Sequence, residues 1–340
     1  MRLYRSTLHA FITCAALAVP LVFYALVARA QDATVPLSAA IPLDVSEIRV
    51  TLLGTGTPRP LMARFGPSIL VEAGREKIVV DVGRGACQRL WQLGVSYSDV
   101  TAVLLTHLHS DHIVGLPDFW LTGWLISRAD KPLELWGPAG TTQMATHLEA
   151  AFEFDRAIRV SDDGVPPTGG HLAAHDIGEQ TVFERNGVKV TAFLVDHGPI
   201  KPALGYRIDY AGHSVVLSGD TRQSPTLIRV AHGTDLLIHE VAAVGEAALA
   251  RDPHLQTIVG HHTTPERAGE VFSAVRPKLA VYSHIVVRGG ASTADVVRKT
   301  RTTWNGPLVV GGDLMRIYIA REVTVQASAI DEAEVQRAGP

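Results

Sequence analysis

The chain has 340 residues, 46% of them hydrophobic and 19% charged, which describes a globular protein able to bury a sizeable core. Its 30 Gly and 19 Pro follow no repeat period, which excludes collagen-like and low-complexity chains. With 31 Lys+Arg against 34 Asp+Glu the formal net charge is -3, and no basic block offers a track for a phosphate backbone, so a dedicated nucleic-acid binder is disfavoured.

The first thirty residues read as a targeting segment. Arg2 and Arg5 precede an apolar run from Phe11 to Ala28, and Ala28-Arg29-Ala30 closes it, the three parts of a secretory signal peptide. Cleavage after Ala30 would leave Gln31 at the mature N-terminus. It would remove three Arg and no acid, taking the net charge from -3 to -6. The alternative is an uncleaved anchor, because the run approaches spanning length. Cys14 lies well before the cleavage site, against lipid attachment, and Cys87 alone then remains, too few for an internal disulfide. The expected compartment is periplasmic or secreted, without stable membrane association.

Residues 31–45 are small, Pro-containing and aperiodic, a linker. Strand-like runs then follow at Ile48–Leu53, Ser68–Glu72, Lys77–Val82 and Ala102–Thr106, with a helical spacing at Ala86–Leu93. Pro117–Ile126 and Thr141–Phe152 read as helices, and residues 160–182 as irregular surface structure. Strands resume at Val188–Val195, Ala203–Tyr210, Ser214–Ser218 and Asp235–Val241. A helix starts after Thr264, an N-cap followed by Pro265. Strand Leu279–Ser283, helix Ser292–Arg301 and strands Leu308–Val310 and Met315–Ile319 close the pattern. The tail 323–340 is expected to be weakly structured. Residues 46–322 thus form one α/β domain.

The sharpest signal is Thr106-His107-Leu108-His109-Ser110-Asp111-His112, directly after an apolar run. Four nitrogen or oxygen donors within six residues converge on a compact site more naturally than a chance polar loop would supply them. Alternate residues His107 and His109 point one way, while Asp111 and His112 turn toward a second ion. Three further strand ends carry donors: Asp196-His197, Gly219-Asp220 and Ser283-His284. Five His and two Asp satisfy two ions sharing one carboxylate, a donor set suited to Zn²⁺, Mn²⁺ or Fe. Open positions on such ions hold a water of lowered pKa, a hydroxide nucleophile.

This order of motifs resembles the metallo-β-lactamase superfamily, an αβ/βα sandwich with a di-metal site along one edge of its two sheets. The resemblance implies that one metal takes His107, His109 and His197, and the second takes Asp111, His112 and His284. Asp220 would bridge them. Gly54-Thr55-Gly56-Thr57-Pro58 and Asp81-Val82-Gly83-Arg84-Gly85 are similar to that family's early turns.

Within the superfamily the ribonuclease Z and arylsulfatase-like phosphodiesterase branch is the nearest likeness, on Gly54–Pro58, His239-Glu240 and His262-Thr263-Thr264. That likeness gives Glu240 and His262 the parts of a carboxylate and a His that protonates the leaving oxygen. Glu240 reads equally well as a partner that only orients a ligand. Asp111, Glu240 and His262 are the catalytic candidates, and neighbouring His261 is surface by default. Ribonuclease Z carries a long tRNA-gripping arm between the motifs matching His197 and Asp220, and the intervening stretch here has no room for one. The expected activity is therefore hydrolysis of a small phosphodiester or related ester by an exported di-metal enzyme. A lactonase is the rival reading, and a β-lactamase is disfavoured because those enzymes lack the bridging Asp. No nucleic acid is expected as partner, and a homodimer stays open.

Other residues are less decisive. Trp120 and Trp124, four apart, read as core or as a cleft wall. Arg59 and Arg64 read as solvated surface, with attraction of an anionic substrate as the alternative. His213, His232 and His254 receive no role. Asp81 is expected to hold the metal loop by hydrogen bonds.

Overall fold

Two-residue alternation of apolar side chains decides the architecture, because each strand has something to bury on both faces. The structure is a computed structural model that describes residue 44 and residues 46–327. The leader, nearly all of the linker and the end of the tail lie outside the described residues.

Six strands come first: β1 (Ile48–Gly54), β2 (Ser68–Ala73), β3 (Glu76–Val80), β4 (Ala102–Leu104), β5 (Leu133–Gly137) and β6 (Leu172–Asp176). Seven more build a second sheet: β7 (Gln180–Arg185), β8 (Val188–His197), β9 (Ile200–Tyr210), β10 (His213–Leu217), β11 (Leu236–Val244), β12 (Leu279–Arg288) and β13 (Leu308–Val310). The chain then returns to the first sheet with β14 (Arg316–Ile319) and β15 (Val323–Gln326). The orders are β15-β14-β1-β2-β3-β4-β5-β6 and β13-β12-β11-β10-β9-β8-β7.

One face of each strand meets the other sheet. Val50, Val71, Ile78, Ile208, Val215 and Val281 belong to this middle core. The opposite faces meet helices. Leu70, Val79 and Val103 pack with Leu90, Phe119 and Trp120, while Val216, Leu237 and Ala280 pack with Val271 and Phe272. Val215 and Val216, adjacent on β10, therefore serve different cores, as a period of two requires. The result is the αβ/βα sandwich.

The helices are α1 (Ala86–Gln92), α2 (Ser110–Ile113), α3 (Leu116–Gly123), α4 (Thr141–Ala151), α5 (Glu153–Ser161), α6 (Pro225–Ala231), α7 (Glu246–Leu249), α8 (Pro253–His261), α9 (Pro265–Val275) and α10 (Thr293–Thr300). Thr264 caps α9 through its side chain, and Ser292 forms a capping box with Asp295 at α10, so both expected starts hold.

Several expectations are corrected. Residues 160–182 are not irregular, since β6 and the first half of β7 lie there. Their Gly and Pro clusters fill the turns between elements and a short 3₁₀ helix at Pro167–Gly170. Order also continues past Glu322, because β15 pairs antiparallel with β14. The helix expected over Pro117–Ile126 ends at Gly123 and widens into a π-turn over Trp124–Arg128. Trp120 and Trp124 are both fully buried, and the Trp124 indole donates to the Pro166 carbonyl at 2.8 Å, so neither is a cleft wall. Among the described residues no helix is long and apolar enough to cross a membrane.

Candidate metal centre

All the donor-bearing segments reach one edge of the sandwich. The loop after β4 brings His107 and His109, α2 brings Asp111 and His112, β8 ends on His197, and Asp220 follows β10. Gly219 makes that last turn with φ 59°, a left-handed conformation that glycine adopts without strain. Below α2 the backbones pack so closely that a Cβ on Gly83 would lie 2.6 Å from the Asp111 carbonyl oxygen.

His284 reaches the site by a different device. His239 pairs with Tyr282 and Val241 with Ile285, so Glu240 alone faces Ser283 and His284. This is a β-bulge, and His284 sits in it at φ 44°. The extra residue turns the imidazole toward Asp111 and Asp220 without ending the strand. β12 therefore runs on to Arg288 instead of stopping at Ser283, as its apolar run alone suggests.

Two donor clusters form: His107, His109, His197 and Asp220, and Asp111, His112 and His284. Asp220 Oδ2 joins them. It lies 3.9 Å from His107 Nε2, 3.8 Å from His197 Nε2, and 3.4 Å from both His112 Nε2 and His284 Nε2. His109 Nδ1 is 3.4 Å from His197 Nε2, and Asp111 Oδ2 is 3.3 Å from His284 Nε2. Two donors about 2.1 Å from a tetrahedral ion stand about 3.4 Å apart, so these spacings suit ions better than direct hydrogen bonds. His107 Nε2, His112 Nε2 and Asp220 Oδ1 are buried and have no hydrogen-bond partner among the described residues. Buried polar atoms left in this way fit a metal, and the N/O donor set fits Zn²⁺, Mn²⁺ or Fe.

Burial pushes His107, His109 and His197 below the ordinary imidazole range, keeping them neutral as ligation requires. It also opposes a charge on His112, but Asp220 and Asp81 outweigh it and hold this imidazole well above its ordinary range, so an ion would have to displace its proton. Burial opposes the Asp220 charge, but His284 and His112 outweigh it and hold the carboxyl well below its usual range.

A ring of hydrogen bonds fixes the imidazoles from behind. Asp81 accepts from the Thr106 amide, the Thr106 hydroxyl and His112 Nδ1, each at 2.8 Å. That confirms its expected holding role. The Thr106 oxygen lies 3.0 Å from His107 Nδ1, and His197 Nδ1 donates to the His261 carbonyl at 2.9 Å. Thr106 opens the motif without an expected role of its own, and the main chain of His261 leaves no signal in side-chain identity. Arg64 is also more than solvated surface. Its guanidinium donates to Thr55 Oγ1 at 2.8 Å and to the Gly311 carbonyl at 2.6 Å.

Glu240 and His262 do meet. Glu240 Oε2 lies 3.1 Å from His262 Nδ1, and Oε1 accepts from the Thr263 amide. His262 also groups with Asp220 and His284, and its ring stacks on that of His284 at 5.4 Å. Burial works against a charged His262, but the Glu240 carboxylate, by charge and hydrogen bond, lifts it to about 9. His109 is exposed, which places the mouth of the site on its side.

A fold of this kind with these donors defines a class. The family described as Beta-lactamase superfamily domain matches residues 69–285, and the chain belongs to it. The protein is a metallo-β-lactamase-fold hydrolase, and its curated relatives carry the name ribonuclease Z. It is 34% identical over 284 residues to Ribonuclease Z of Mycobacterium sp. (strain KMS), covering 82% of this chain and 99% of that protein. Two crystal structures share the fold. The metallo-β-lactamase fold protein YhfI from Bacillus subtilis has TM-score 0.63 and 17% identity, covering 80% of this chain and 100% of its own. Human tRNase Z, short form, has TM-score 0.60 and 21% identity, covering 80% and 98%.

The stretch from His197 to Asp220 holds only β9, β10 and their tight turns, so this chain has no arm there. The mycobacterial relative has no room for an arm-sized insertion either, since 284 matched positions take 82% of one chain and 99% of the other. A missing arm therefore does not separate this chain from proteins named ribonuclease Z, and the expectation of no nucleic-acid partner loses its main support.

The arrangement predicts two transition-metal ions per chain by elemental analysis, and loss of both in Asp220→Ala. Retention of one ion at full occupancy in that variant would remove Asp220 from the shared position.

Proposed function

We propose that the protein is an exported hydrolase that cleaves phosphodiester bonds at a two-metal centre. The observation that carries this reading is the Glu240–His262 pair facing the donors Asp220 and His284. His107, His109 and His197 would hold one ion, Asp111, His112 and His284 the other, and Asp220 both. Zinc is the default, with Mn²⁺ and Fe suited to the same donors. Two such ions, when bound, supply a nucleophilic water at neutral pH and Lewis acidity toward phosphoryl oxygens.

His262 supplies the proton. Its Nδ1–H stays with Glu240, and Nε2–H gives the leaving oxygen its hydrogen as the ester bond breaks. A protonated His262 beside two cations matches a transition state richer in negative charge than that of a neutral lactone. This favours a phosphodiester over the lactone alternative.

Small phosphodiesters suit the negative charge expected of the processed chain, which repels a polyanion. A second reading, cleavage beside an RNA 3′ end, is supported by the name that the mycobacterial relatives carry. Assays of bis-nitrophenyl phosphate, a lactone and a tRNA precursor at matched concentration separate the three. We expect the small diester to be cleaved and the precursor spared. Efficient, salt-sensitive removal of a 3′ trailer would instead establish the RNA reading. N-terminal sequencing of exported protein should begin within a residue or two of Gln31, whereas an intact Met1 in the membrane fraction would establish an anchor.

The acid role has a pH signature. His262 is charged below its raised pKa of about 9 and loses its proton as pH rises through it, and bound cations shift that loss downward. For substrates with poor leaving groups, turnover should fall on the alkaline side at or below about 9. His262→Ala should lower turnover roughly 10²–10⁴-fold for those substrates, spare nitrophenolate leaving groups more, and abolish the alkaline limb. An unchanged alkaline limb in the variant would assign the proton to another group.

A further inference from the structure

Between the sheets, lined in part by the donors Asp220 and His284, lies a cavity with about 40 Å³ for the centres of water-sized molecules. One water needs roughly 10–15 Å³ on that measure. Ser68, His239 and His284 all line it. Ser68 Oγ, His239 Nε2 and His284 Nδ1 are buried, and none has a hydrogen-bond partner among the described residues.

Their chemistry is complementary. His239 Nδ1 lies 2.6 Å from the Glu240 carbonyl oxygen and must carry a proton to donate there. Burial keeps this imidazole neutral, so Nε2 presents a lone pair. His284 Nε2 faces Asp111 and Asp220, and with that nitrogen on a metal ion the neutral ring would carry its proton on Nδ1, a donor on the other side. The Ser68 hydroxyl both donates and accepts. One donor, one acceptor and one group that is both are what a water molecule joins. An apolar filling would strand all three.

The three other buried imidazoles of the centre each have a protein partner: Thr106 for His107, Asp81 for His112 and the His261 carbonyl for His197. His284 has none at Nδ1 among the described residues, although a ligand imidazole is oriented through its second nitrogen. We propose that the cavity holds ordered water that accepts from His284 Nδ1 and donates to His239 Nε2. His239 and Ser68 are then positioning residues for the His284 ligand. The inference rests on the reading that His284 faces a metal ion.

Crystal structures of the wild type with and without zinc, and zinc competition titrations of variants, test it together. A water in contact with His284, His239 and Ser68 is expected in both crystals. His239→Leu should weaken one of the two zinc ions by roughly 10–100-fold and leave the other near wild type. His239→Gln, whose amide oxygen still accepts from the water, should restore most of that affinity, and Ser68→Ala should cause a smaller loss. A dry cavity in the wild type, or both ions bound to His239→Leu at wild-type strength, would overturn the proposal. Failure of the metal centre reads differently, as a wild type without zinc whose cavity still shows its water.

Discussion

A single carboxylate oxygen, Asp220 Oδ2, stands within 4 Å of four imidazoles where the two sheets meet. Burying an ionised carboxylate is costly unless positive charge compensates it. His284 and His112 supply that charge while no ion is bound, whereas His107 and His197 are held neutral by their own burial. Cations bound by the donors would take over the compensation and leave the imidazoles free to ligate. The remaining structure serves to keep these groups in place before any ion arrives.

That service comes from both sheets. The first sheet supplies Asp81, which locks the loop after β4 through Thr106 and His112. The second supplies β8, the glycine turn after β10, and the bulge at His284. A further tie joins the early and late chain, since buried Asp313 accepts from the amides of Thr55 and Phe65 and pairs with Arg89 at 3.2 Å. Removing one partner of such a pair leaves an uncompensated buried charge, a cost of about 3–5 kcal/mol. The tie fixes the turn whose Thr55 carbonyl accepts from the Ile285 amide, next to His284.

What sequence could reveal follows from how local each feature is. The cluster His107 to His112 was legible because its spacing alone brings four donors together. Asp81 was legible as the end of a buried strand beside that cluster. The β12 bulge was not, because it exists only in the register between two strands. Arg64 was misread for a similar reason: its partner carbonyl at Gly311 lies 247 positions away. Segments β6 and β7 were hidden by turn residues around short strands, and β15 by its four-residue length and exposed middle.

The central claim is that one Asp220 oxygen serves two ions. Anomalous diffraction from zinc-loaded crystals at the metal edge tests it most directly. The account predicts two peaks about 3.5–4 Å apart, with Asp220 between them, His197 on one and His284 on the other. A single peak at saturating zinc, or two peaks with Asp220 turned away from both, would contradict it.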